Sequence, residues 1–185
     1  MMFGPMNEPV TLRRDLDALT VPAGIPERLE RSSLVYITQA MGGSFTIYFE
    51  GNLYRVAGKD ADALGRDVPP VPVLQPGATD DDFRTLVWDQ MRTVYDPEIP
   101  INIVDLGLVY DCHIVTDPQS GSRTIDVQMT VTAPGCGMGE ILVEEVREKI
   151  SLLPTVAAVA VELVYDPPWN QSMMSEAARL EAGLL

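Results

Sequence analysis

Residues 123–153 change periodicity within a few positions, and that change restricts what the chain can fold into. Ile125, Val127, Met129 and Val131 are apolar, while Asp126, Gln128, Thr130 and Thr132 between them are polar. This is the period of two expected of a half-buried strand. From Met138 onward, Ile141, Leu142, Val146, Ile150 and Leu153 recur three or four apart, the stripe of an amphipathic helix. Ala133-Pro134-Gly135 interrupts both patterns and reads as a tight turn. Cys136 therefore falls where a strand ends and a helix begins. Free backbone N–H groups and the helix dipole favour negative charge there, which shifts a thiol toward thiolate. The crevice outside the carboxyl ends of strands is also where α/β units tend to bind ligands. The same position equally suits a small buried cysteine that packs the start of a helix.

The flanking text extends this unit. The helix over 137–152 ends before Pro154, and Val156, Val159, Val161, Leu163 and Val164 form a mostly apolar strand, so strand–helix–strand implies a parallel crossover. Upstream, Thr79 followed by Asp80, Asp81 and Asp82 is a helix start with acids complementing the dipole. Phe83, Leu86, Val87, Met91 and Val94 give that helix one apolar face, and Pro97 predicts its end near Tyr95. Leu108, Tyr110, Cys112 and Ile114 alternate with Val109, Asp111, His113 and Val115, and Asp117-Pro118-Gln119-Ser120-Gly121-Ser122 is a hairpin loop. Residues 79–185 thus read as an α-β-β-α-β domain: a three-stranded mixed sheet covered by two helices, with a short C-terminal helix from Ser172.

Several side chains in this domain carry two readings. Asp96 and Glu98 are bracketed by Pro97 and Pro100; either acid could accept from free backbone N–H groups, or Asp96 merely ends the helix and Glu98 is solvated. Cys112 lines up with Leu108 and Ile114 and reads as core. His113 lies on the opposite face with Asp111 and reads as a surface residue. Trp169, after two prolines, either faces a partner or locks the tail onto the core.

Residues 1–66 read as a small β-rich domain. Residues 1–9 look like a loose tail, and Val21-Pro22-Ala23-Gly24-Ile25-Pro26 like a loop. Leu34, Tyr36 and Thr38 alternate as a short strand. Residues 44–49 and 53–57 flank Glu50-Gly51-Asn52 as a β-hairpin. Short strands of this kind need a closed or covered arrangement, which predicts a barrel-like unit. Gly42-Gly43 reads as a turn in preference to a phosphate loop. Residues 67–78, dense in proline, read as the linker. The fold class expected is therefore α+β.

Charge and cysteine usage bear on partners. The formal net charge is −14, which argues against nucleic acid and anionic membrane surfaces, since both need a basic footprint. The N-terminus has no basic region followed by an apolar run, and no stretch approaches the roughly 18 apolar residues of a membrane span. Two cysteines 24 apart, without a signal peptide, suggest a reducing cytosol, so a cytoplasmic location is expected. Cysteine and histidine together supply three candidate ligands, too few for a closed zinc site from one chain.

Four segments occur together in a characteristic order: Asp96-Pro97-Glu98-Ile99-Pro100, Asp105-Leu106-Gly107-Leu108-Val109-Tyr110, Thr130-Val131-Thr132-Ala133-Pro134-Gly135-Cys136 and Pro167-Pro168-Trp169. They resemble the iron–sulfur assembly family that includes PaaD and the cytosolic cluster-targeting subunits. Val21-Pro22-Ala23-Gly24, Ala61-Asp62-Ala63-Leu64-Gly65 and the ending Met174-Ser175-Glu176-Ala177-Ala178-Arg179-Leu180 resemble its SufT-like branch. One departure is Gly137, where many broader relatives carry proline after the cysteine. The resemblance implies a non-catalytic maturation factor working through Cys136, Asp96 and Glu98, with Asp105 and Thr132 added by the matching motifs. It implies Cys136 as metal ligand, Trp169 as partner-binding residue, and Asp96–Glu98 near the Cys136 turn. Its partners would be iron–sulfur client apoproteins and cluster carrier or scaffold proteins, with a homo-oligomer among the arrangements. Because a cluster usually takes four thiolates, a transient cluster or iron would be held between subunits or with an external thiol, and none by one chain alone. Two other readings stand beside this: a thiol-dependent enzyme with Cys136 as nucleophile, which needs a base within reach, and a pure protein-interaction scaffold.

Overall fold

The computed structural model describes residues 8–96, 99–135 and 137–184. The chain divides into two compact units, Met1–Pro70 and Val71–Leu185.

In the first unit six strands form one antiparallel sheet: β1 (Glu8–Thr11), β2 (Leu16–Val21), β3 (Pro26–Leu29), β4 (Leu34–Met41), β5 (Ser44–Phe49) and β6 (Asn52–Val56). Their order is β1-β4-β5-β6-β2-β3. Both tight hairpins have two-residue loops, Gly42-Gly43 between β4 and β5 and Glu50-Gly51 between β5 and β6. All four loop residues have positive φ, the type I′ turn whose twist matches that of the strands it joins. The glycine pair is thus a hairpin turn.

Leu16, Ala18, Leu29, Val35, Ile37, Ile47, Tyr54 and Val56 are buried on the inner face, together with Ala61, Ala63 and Leu64. The last three come from a 3-10 turn over Gly58–Leu64. This turn lies against the buried face of a sheet whose strand order ends at β1 and β3. Glu8 and Pro9, read from the sequence as tail, belong to β1 and pair with Ile37 and Tyr36. Their pairing partner lies far along the chain, and four residues with a proline show no readable alternation.

Pro69 fills space left by two glycines. A Cβ at Gly43 would come within 2.9 Å of the Pro69 ring, and one at Gly58 within 3.3 Å. Leu74 packs against the core of the second unit. Between these two anchors Val71 and Val73 are exposed. Brief digestion with a non-specific protease is expected to cut first near these valines, leaving a folded fragment that starts near residue 75. First cleavage inside either unit would contradict this.

In the second unit, α1 (Asp80–Met91) begins at a capping box: Thr79 Oγ1 accepts from Asp82 N at 3.2 Å and Asp82 Oδ2 from Thr79 N at 2.7 Å. Phe83, Val87 and Met91 form its buried face. The helix stops before the expected Tyr95 because the chain turns into an antiparallel bridge between Tyr95 and Asn102. There, Asp96 N donates to Ile101 O at 3.2 Å and Ile103 N to Val94 O at 2.9 Å.

β7 (Val109–Thr116) pairs antiparallel with β8 (Arg123–Met129), and β8 pairs parallel with β9 (Val156–Leu163) across α2 (Met138–Ser151). The sheet is mixed, in the order β7-β8-β9. Ile125, Val127 and Met129 bury one face against α1 and α2. Lys149 Nζ ties α2 to the turn after α1, donating to Thr93 O at 2.7 Å and lying 3.3 Å from Glu145 Oε1. At the start of β8, Arg123 stacks 4.2 Å over the Phe83 ring and pairs with Asp80 at 2.9 Å. The opposite face of the sheet is open, with Asp111, His113, Asp126, Gln128 and Glu162 exposed. The chain ends in a 3-10 turn (Gln171–Met173) and α3 (Glu176–Glu181), whose cap Ser175 accepts from Ala178 N. No helix among the described residues is long and apolar enough to cross a membrane.

Candidate functional site

Three segments meet at one end of the three-stranded sheet. Antiparallel pairing puts the start of β7 beside the end of β8, and parallel pairing puts the end of β9 there too. The chain just before β7 therefore lies beside the chain just after β8, and Thr130 N donates to Leu108 O at 2.8 Å. The tail after β9 closes the third side: Trp169 Nε1 donates to Leu106 O at 2.8 Å, Tyr110 OH to Pro167 O at 2.7 Å and Ser175 N to Asp105 O at 2.8 Å. Trp169 is half-buried against the core. Its N–H is committed to the tail lock.

Asp96 is 4% exposed, and its Oδ1 accepts from Ile99 N at 2.9 Å. It lies past the end of α1, and its carboxylate is tied to Ile99. Asp105 is half-buried, and its Oδ2 accepts from Asn102 Nδ2 at 2.6 Å. Asn102 Oδ1 in turn accepts from Val104 N at 3.1 Å and Asp105 N at 2.9 Å. Asn102 thus fixes the loop that presents Asp105, and sequence reading passed over it; an asparagine three residues before an aspartate is the signal that was available. Thr132 is half-buried just past β8. Glu98 and Cys136 lie outside the described residues, as does the expected approach of Asp96–Glu98 to the Cys136 turn.

What surrounds Cys136 in the chain is defined. Ala133, Pro134, Gly135 and Gly137 are exposed, and Gly135 has φ 85°, a left-handed conformation suited to glycine. α2 starts at Met138 after Gly137 as its N-cap, with no side-chain cap among the described residues.

Gly107 was quoted only as part of a motif, yet the site depends on it. Its φ is 73°, and an added Cβ would overlap the Met173 carbonyl oxygen. Only glycine lets the tail come this close.

Cys112 is 6% exposed and faces the core. Burial pushes its thiol up to about 11, with Asp111 and Asp126 adding to the rise and Arg84 opposing it. Iodoacetamide at pH 8 is expected to leave Cys112 unlabelled in the folded protein and to label it fully in denaturant; rapid native labelling would refute its burial. Between the ordinary value near 9 and about 11, the unfolded chain releases this proton while the folded chain keeps it. This thiol's contribution to stability is thus present below pH 9 and lost as pH rises toward 11.

Residues 84–163 match the family model described as iron-sulfur cluster assembly protein. The chain is 44% identical over 95 residues to an Fe-S protein maturation auxiliary factor of Porphyromonas gingivalis, covering 51% of this chain and 86% of that protein. It is 36% identical over 98 residues to the Fe-S protein maturation auxiliary factor YitW of Bacillus subtilis, covering 53% and 91%. With the Fe-S protein maturation auxiliary factor SufT of Staphylococcus aureus it shares 37% identity over 91 residues, covering 49% and 98%. The chain belongs to the SufT-like family of iron–sulfur cluster assembly proteins. The six-stranded unit lies outside the residues matched by the family model.

Proposed function

We propose that this protein is an iron–sulfur maturation factor that assists cluster delivery to client apoproteins without catalysing a reaction of its own. The observation that supports this most is the meeting of residues 101–108, 130–135 and 167–175 at one end of the sheet, just before α2 begins. Cys136 follows that strand end and would act as the thiolate donor to iron, with the Asp96–Glu98 segment beside it. Asp105, Thr132 and Trp169 would shape the surface presented to clients and carriers.

A cluster or iron ion is cargo in this reading. The chain contains two cysteines, and Cys112 is buried as a neutral thiol. A four-thiolate set would then have to be completed by a second subunit, a carrier or an external thiol. The enzyme reading would need a base near Cys136; His113, the chain's one histidine, sits exposed in mid-β7 opposite Asp126. That placement favours delivery over nucleophilic catalysis.

The test is maturation itself. Cells lacking the protein should lose activity of cluster-dependent enzymes while the corresponding apoproteins accumulate, and the full chain should restore it. Anaerobic reconstitution with iron and sulfide, followed by Mössbauer spectra, reports whether cluster binds. Normal cluster-enzyme activity in the deletion strain under iron limitation would overturn the proposal.

A further inference from the structure

The sheet edges of this protein are not protected alike. An edge strand presents unpaired N–H and C=O groups, and proteins ordinarily blunt it by shortness, proline, charge or a bulge. In the first unit the edges are β1 and β3. Each has four described residues; β1 contains Pro9, and β3 starts at Pro26 and carries Glu27 and Arg28. β7 has a register break between Val109 and Asp111, and the Asp111 carboxylate takes up the Cys112 N–H at 2.9 Å.

Past Ala157, β9 has one of these devices, the charge of Glu162, whose Oε2 accepts from Gln128 Nε2 at 3.3 Å on the neighbouring strand. Its one irregularity comes at Ala157, leaving Ala158–Leu163 in unbroken parallel register with β8. Val164 N donates to Met129 O at 2.8 Å. Alternation then turns the N–H and C=O groups of Val159, Val161 and Leu163 away from β8, toward the free edge. Among the described residues, no hydrogen bond within the chain takes them up. Ala158 and Ala160 are exposed beside this edge, and Glu162 is its one charge.

We infer that the free edge of β9 is a docking strand that accepts an extended segment of a partner protein by backbone pairing. The partner's chemistry follows from the edge. Ala158 and Ala160 leave room for large apolar side chains on the added strand, and Glu162 calls for a basic residue opposite it. A second copy of this chain fits poorly, because each carries a net charge of −14 and like-charged bodies repel. The inference concerns how a partner is held and stands without the maturation reading.

Amide exchange tests it directly. The probe is a short peptide in which valine and isoleucine alternate with lysine and threonine. On the full chain it should slow exchange at Val159, Val161 and Leu163 by at least about tenfold, without affecting β7 amides. A peptide with proline at its centre, and one with glutamate in place of lysine, should both fail. Val161→Pro removes an edge-facing N–H, and with it a valine side chain that packs against the core, so it should lose the effect; the peptide controls on the unaltered chain decide the matter if that variant does not fold. Unchanged exchange with the lysine peptide would overturn the inference. So would protection already present without peptide and rising with protein concentration as a dimer forms, which would make the occupant a second copy.

Discussion

Cells carrying Cys136→Ser or Glu98→Ala are expected to show cluster-enzyme activity no higher than cells without the protein, while each purified variant melts close to the unaltered chain. The first half follows from the proposed thiolate and its neighbouring acid. A carboxylate near a thiol raises its pKa and a helix start lowers it, so the two oppose. The helix start should dominate if Glu98 spends its charge on backbone N–H groups. The second half follows from the surroundings, since the residues flanking Cys136 are exposed and α2 is held by Met138, Ile141, Leu142, Val146 and Ile150 instead. A core cysteine would behave differently, because burying a serine hydroxyl in its place costs about 1–3 kcal/mol. Measuring Tm alongside client activity separates the cases. A Cys136→Ser chain that melts early yet supports full client activity would make this residue structural.

The largest stability effect should come from a glycine remote from that thiol in sequence. Gly107→Ala meets two penalties at once: the left-handed backbone, costing on the order of 1–2 kcal/mol, and collision with the Met173 carbonyl. The backbone cannot yield without lifting the tail. With the tail go the Trp169–Leu106 bond and the burial of Met174 and Ala178. A Tm at least about 8 °C below that of the unaltered chain is expected, with the C-terminal segment becoming protease-sensitive. Gly121→Ala is the control, because its φ is 69° but nothing lies near the added Cβ; it should cost only about 1 kcal/mol. Equal losses for the two variants would show that the tail contact carries no weight.

These two expectations draw on different levels of information. Cys136 was visible as a change of period between Met129 and Met138, a local property of the text. Gly107 was not, because the atom that forbids a side chain there lies 66 residues away in sequence at Met173. The same division holds for the elements. The amphipathic stripe of α2 and the alternation of β8 were legible because each reports burial through consecutive residues. β1 to β3 were not read as strands, because β1 and β3 have only four residues each and β1 and β2 also pair with the distant β4 and β6. The early end of α1 was hidden for a similar reason: Tyr95 leaves the helix to meet Asn102, a pairing no propensity encodes.

What the sequence by itself determined was the order of elements in the second unit, the core placement of Cys112 and the position of Cys136 between strand and helix. Periodicity and turn chemistry act over a few residues, and they suffice for that much. The tertiary structure alone decided that the motif loops and the tail share one end of the sheet. It also decided that Asn102 braces Asp105, that Trp169 commits its N–H to Leu106, and that β9 is left with an open edge. Each depends on which distant segments become neighbours, a choice made by packing the whole core rather than by any stretch of it.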